Sequence, residues 1–105
     1  MQRLIDGLFK WWTAPSENSV AFAEDFEFVG VSAAVDADAW KFVVEQAVPP
    51  ENVKVIGSVC AGDTGVIVFE STDPVTLLRH RTSWFVERHS GEIRRLVETT
   101  GVIET

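Results

Sequence analysis

The chain contains no tyrosine and a single cysteine, and each scarcity removes a class of mechanism. Without a phenol, chemistry that needs a Tyr hydroxyl as proton donor is excluded, although seven Phe and four Trp supply large apolar rings. A lone thiol cannot close an internal disulfide, and Cys60, set in an apolar run, reads as a buried, inert side chain in a reducing compartment. Basic residues are also few. Nine Lys and Arg against sixteen Asp and Glu leave a net charge of −7, a field that repels phosphate backbones and anionic bilayers. Nucleic acid and membrane are therefore not expected partners. No stretch approaches the ~20 apolar residues of a membrane span, and the amino terminus lacks the apolar run of a secretory signal, so a cytoplasmic location is expected. His and Cys do not cluster at ligand spacing, and Gly62-Asp-Thr-Gly65 does not precede a helix, so neither a metal nor a nucleotide cofactor is implied.

What is present suits one domain spanning residues 1–105, because 46% apolar content at this length can build a single core. Leu4, Ile5, Leu8, Phe9, Trp11 and Trp12 recur at spacings of three and four, the signature of one broad helix face, and Pro15 should end that helix. Ser16 or Asn18 then offers a cap for a short helical turn through Phe22. Alternation at Asp25, Phe26, Glu27 and Phe28 predicts a half-buried strand. Asp36 can cap a second helix with an apolar stripe at Trp40, Val43, Val44 and Ala47, stopped by Pro49-Pro50. Beyond it the period changes to two. Val53 to Cys60 and Val66 to Glu70 flank a turn at Ala61 to Gly65, and Val75 to Arg88 and Ile93 to Thr100 flank a turn at His89-Ser-Gly91. Consecutive hairpins after grouped helices imply an antiparallel meander and an α+β fold. Arg79, Arg81, Arg88, Arg94 and Arg95 gather in the last third, as either a local anion contact or a solvated strand face.

Three segments carry a family resemblance. Phe22-Ala-Glu-Asp-Phe-Glu-Phe-Val-Gly30 follows an aromatic-rich first helix, Val53 to Glu70 forms a central hairpin, and Thr82-Ser-Trp-Phe-Val-Glu-Arg-His-Ser-Gly-Glu-Ile93 forms a strand, turn and strand start. In this order they resemble the nuclear transport factor 2-like superfamily, which includes SnoaL-like polyketide cyclases and ketosteroid isomerases. The resemblance covers nearly the whole chain. It implies a curved antiparallel sheet wrapped on the N-terminal helices, cone-shaped and holding a pocket, with the other sheet face serving a homodimer. The run Val66, Ile67, Val68 and Phe69 fits a sheet covered on both sides. The short connection from Trp12 to Phe22 implies that the family's usual second helix is clipped or absent.

With the pocket face set by that resemblance, alternation turns Phe26, Phe28, Ile67, His80, Trp84 and Glu98 inward, among others. The expected ligand-binding lining takes Trp12 and Trp40 from the helices and Phe28, Phe69, Thr82, Trp84 and Leu96 from the strands. Such a surface suits a small, flat, apolar molecule. The Trp residues serve equally as plain core.

Ketosteroid isomerases, a worked example of pKa tuning, use a strand carboxylate base with Tyr and protonated Asp donors. Here the base position falls on Gly30, or on Glu27 with another anchor, and the second acid on Thr82 or Ser83, so that chemistry is not expected. His80 and Glu98 are instead the candidate catalytic pair, on adjacent strands where a carboxylate could orient an imidazole for acid/base work without a cofactor. The competing readings are a satisfied strand histidine with Glu98 paired to an arginine and, for the whole chain, a non-catalytic dimeric protein-interaction module.

Overall fold

A computed structural model describes residues 1–103. Helix α1 (Gln2–Thr13) is followed by β1 (Phe22–Val29), β2 (Ala34–Asp36), helix α2 (Ala37–Gln46) and strands β3 (Glu51–Ala61), β4 (Thr64–Thr72), β5 (Arg79–His89) and β6 (Glu92–Val102). The six strands form one open sheet in the order β2-β1-β6-β5-β4-β3. The β3 to β6 meander is antiparallel, as its hairpin turns imply, while β1 runs parallel to β6 and makes the sheet mixed. Register irregularities in the β1/β6, β3/β4 and β5/β6 pairs bend the sheet, which curls over both helices. This is the expected α+β cone.

Local chemistry accounts for most boundaries. Asp36 accepts a hydrogen bond from the Ala39 amide at 2.9 Å, fixing the start of α2. The β5–β6 hairpin turns on Ser90 (φ 50°) and Gly91 (φ 79°), the paired positive dihedrals of a tight two-residue loop. The proposed helical turn through Phe22 is absent. Asn18 instead donates its side-chain amide to the carbonyls of Ala14 and Lys10, closing the free end of α1, and Phe22 already belongs to β1. The strand expected from Val75 begins only at Arg79. Asp73 captures the amides of Val75 and Thr76, and Leu77 takes a left-handed φ of 62°, so Val75 to Leu78 form a loop despite their apolar character.

Sheet register sorts the side chains onto two faces. Inward lie Phe28, Leu96, Val86 and Gly65 in one cross-strand row, then Glu98, Trp84 and Ile67, then Thr100, Thr82 and Phe69, then His80 and Ser71. The core joins Leu96, Val86, Trp84, Ile67 and Phe69 of the sheet to Ile5, Leu8 and Trp11 of α1 and to Trp40 and Val44 of α2. Gly65 permits this contact. A Cβ there would stand 2.5 Å from Ile5 Cδ1, so any larger residue would make Ile5 shift. Trp11 meets Trp40 edge to face at 5.2 Å, and Trp12 meets Trp84 likewise at 5.1 Å, so the rings tie the helices to each other and to the sheet.

The outer face carries its own apolar row, Val29, Val97, Phe85, Val66 and Val59, across five strands. Among the described residues no further layer covers it, and Val59 is 71% and Phe85 38% exposed. Cys60 is exposed as well, contrary to the expected buried thiol. It lies on the edge strand β3, beyond the reach of α1's main packing stripe, and donates to Gln2 Oε1 at 3.3 Å. All five arginines of the last third engage carboxylates: Arg79 and Arg81 share Glu70, and Arg88, Arg94 and Arg95 meet Asp63, Asp25 and Glu27. No arginine cluster is therefore left free for an anion there. No described helix is long and apolar enough to cross a membrane.

Candidate functional site

The inner face changes character along its length, and the same change occurs on neighbouring strands. On β4 the inward residues run Gly65, Ile67, Phe69, Ser71; on β5, Val86, Trp84, Thr82, His80; on β6, Leu96, Glu98, Thr100. Apolar residues thus give way to polar ones at one level of the sheet. A cleft of about 560 Å³ opens along these polar rows, although Ser71 and Thr82 are themselves buried at its wall.

The cleft has two unlike walls. Trp12, Trp40, Val43 and Val44 line the helical side, with Phe28 at its inner end stacked on Trp40 at 4.7 Å and 10°. Ser71, His80, Thr82, Glu98 and Thr100 form a polar strip on the sheet side. Pro49, Pro50, Asp73 and Val75 make the rim. Val43, expected in the buried stripe of α2, is 61% exposed because it faces this opening rather than the core.

Glu98 is the group whose protonation this setting alters. Burial pushes its carboxyl above the ordinary 4.5, and the hydrogen bond from Trp84 Nε1, at 3.3 Å, works against that rise. Its partner is thus an indole rather than an arginine, since Arg79 and Arg81 are held on the opposite face by Glu70. Next along the strip, the hydroxyls of Thr82 and Thr100 bond to each other at 2.9 Å. At the rim, the amides of Val75 and Thr76 hold the Asp73 carboxyl below its ordinary 3.8, slight burial opposes them, and His80 adds a weaker attraction.

The two candidate catalytic residues both line the cleft, but they do not face each other. Glu98 lies opposite Trp84 and His80 opposite Val102, because the turn at Ser90–Gly91 and the irregularity at Glu87/Arg88 set the β5–β6 register. Four residues of strand separate them, roughly 13 Å at ~3.3 Å per residue. A hydrogen-bonded His80–Glu98 pair is thereby ruled out, and the threonine pair stands between them.

Of the other residues expected at the site, Trp12, Phe28, Trp40 and Thr82 line the cleft. Phe69, Trp84 and Leu96 are completely buried and form the layer beneath it, where they fix the wall rather than meet a ligand. The isomerase base positions are no better placed. Gly30 follows β1 against Phe28, and Glu27 faces outward to Arg95 at 3.6 Å. Sequence reasoning missed Ser71, Asp73 and Thr100. Extending the two-residue alternation of the inward set by one step on β4 and β6 would have found Ser71 and Thr100. Among the described residues no group of three His, Cys, Asp or Glu side chains could hold a metal.

The fold is the one found in nuclear transport factor 2-like proteins. Solved structures bear out the fold. An NTF-2 like protein of unknown function from Burkholderia xenovorans superposes with a TM-score of 0.82 at 8% identity, covering 99% of this chain and 84% of its own. An NTF2-like protein of unknown function from Cytophaga hutchinsonii gives 0.74 at 12% identity, covering 95% and 88%. A protein from Catenulispora acidiphila with a ketosteroid isomerase-like fold, in complex with trimethylamine, gives 0.69 at 19% identity, covering 91% and 83%. No protein-family model and no curated protein matches the sequence.

Proposed function

We propose that this domain binds a small, mainly apolar molecule in the cleft, and that Glu98 exchanges a proton with it in cofactor-free acid/base chemistry. The observation that carries the proposal is a carboxyl group with a raised pKa, set by burial beside Trp84, on the wall of an aromatic cleft. A carboxylic acid whose pKa is moved toward the working pH is both a usable acid and a usable base. The Thr82–Thr100 hydroxyl pair supplies a neighbouring polar anchor. His80, at the far end of the strip, serves orientation or a second proton transfer through the ligand itself. The trimethylamine complex of the Catenulispora neighbour supports a fold of this kind admitting a small molecule.

The test is a titration with hydrophobic carbonyl compounds, followed by tryptophan fluorescence and native mass spectrometry. Saturable binding that Thr82→Trp blocks is the expected result. Absence of binding across the panel would remove the proposal. For the chemistry, Glu98→Ala should abolish turnover of a bound compound while the fold is retained, and His80→Ala should reduce it.

A second reading, a homodimer or protein-docking module, is favoured by the uncovered row Val29, Val97, Phe85, Val66 and Val59 on the outer face. Sedimentation equilibrium should give a dimer, and Phe85→Glu a folded monomer. A wild-type monomer that retains this exposed row at all concentrations would count against self-association.

A further inference from the structure

The charges around the cleft limit what its occupant can carry. Among the described residues, the lining holds two carboxyl groups, Glu98 from β6 and Asp73 from the β4–β5 loop, and one imidazole, His80 from β5. The described lining holds no lysine and no arginine, and neither α1 nor α2 contributes a titratable group to it. Arg79 and Arg81 flank His80 in sequence, but alternation turns them outward, where Glu70 meets Arg81 at 2.6 Å and Arg79 at 3.6 Å. An anionic group entering this space would therefore meet like charge with no lining Lys or Arg as counter-ion, within a chain of net charge −7. A cation meets the reverse situation. Trp12 and Phe28, both half-buried, line it with π-systems, which attract organic cations, tryptophan most strongly, while Trp40 is stacked between Phe28 and Phe26 and backs that wall. Glu98, lacking an arginine partner, is available as the counter-ion.

We infer that the cleft selects hydrophobic organic cations, of the alkylated amine and quaternary ammonium class, over neutral or anionic molecules of the same shape, with Glu98 as their counter-ion. The inference rests on the ligand-binding reading above and specifies its ligand. Proton balance follows from the class. A quaternary ammonium ion that enters while Glu98 is protonated forms an ion pair with the carboxylate and releases one proton to solvent. An amine that enters as its free base takes that same proton, so the N–H bond forms as the carboxyl O–H bond breaks. Because Glu98 resists ionisation when the cleft is empty, affinity for a quaternary cation rises with pH through the raised pKa of Glu98 and then levels. Asp73, held ionised by its two amide donors, adds a constant attraction over that range. His80 also faces the cleft, and His80→Gln isolates its contribution.

The experiment compares three probes on the full chain by calorimetry and tryptophan fluorescence: phenyltrimethylammonium, its neutral carbon isostere tert-butylbenzene, and benzoate. The cation should bind at least about tenfold more tightly than the neutral isostere, the scale of a cation–π contact joined by a counter-ion, with benzoate weakest. Glu98→Gln should erase that preference while keeping the neutral affinity, and cation binding to the wild type in buffers of different ionisation enthalpy should report proton release. Equal or tighter binding of tert-butylbenzene, or a preference that survives Glu98→Gln, overturns the cationic class and leaves ligand binding standing. If none of the probes binds, and the carbonyl panel also fails, both readings fall together.

Discussion

The two ends of the inner sheet face are built from the same strands and the same alternation, yet one is filled and the other is open. At the filled end Ile5, Leu8, Phe69 and Trp84 are removed from water, and a Cβ at Gly65 would press on the tip of Ile5 at 2.5 Å. At the open end the corresponding positions are Ser71, His80 and Thr100, which line the cleft. The difference shows that the cleft is not a packing defect. Polar residues replace apolar ones on three neighbouring strands along the cleft, even where Ser71 and Thr82 stay buried, so the change of residue type and not the loss of cover marks the open end.

Substitutions at the two ends should separate them. Phe69→Ala removes a completely buried ring, and urea unfolding should show a loss of about 3–5 kcal/mol; a loss below ~1 kcal/mol would mean the filled end is as loose as the open one. Gly65→Ala forces a Cβ against Ile5 and should cost about 1–3 kcal/mol through displacement of α1. Thr82→Val keeps the shape of the residue but breaks the bond to Thr100, with an expected cost of ~1 kcal/mol by the same measurement.

Glu98→Gln should act in the opposite direction, and only over part of the pH range. The folded chain holds the Glu98 proton more tightly than the unfolded chain, so stability falls as pH rises from about 4.5 through the raised folded pKa. Glutamine can still accept from Trp84 without a charge. The variant should therefore melt a few degrees higher than wild type near neutral pH and match it in acid below the unfolded value. An identical melting difference at all pH values would show that the Glu98 charge is not the cause.

Much of this contrast was legible before any coordinates. The Leu4 to Trp12 stripe, the Asp36 cap, the two hairpin turns and the inward set on β4 to β6 all follow from local rules. They depend on neighbours three or four residues apart, or on alternation within one strand. Long-range pairing was less accessible. The parallel contact of β1 with β6 joins residues about seventy positions apart and leaves no local mark, and β2 is three residues long, too short for a period to register. The Val75–Leu78 loop misled by its apolar content, since a single Asx turn at Asp73 outweighs strand propensity there. His80 and Glu98 were correctly turned inward, but their expected juxtaposition needed a register that the turn residues alone could not supply.

The irregular pairing of β3 has a consequence for life in a crowded solution. An eleven-residue strand at the margin of a sheet offers unsatisfied amides and carbonyls to any extended chain that drifts past. Here two interruptions, near Asn52 and near Ile56, and the ammonium group of Lys54 break the straight run that an incoming strand would need. The chain can thus leave its longest edge uncovered without inviting fibrous growth from it.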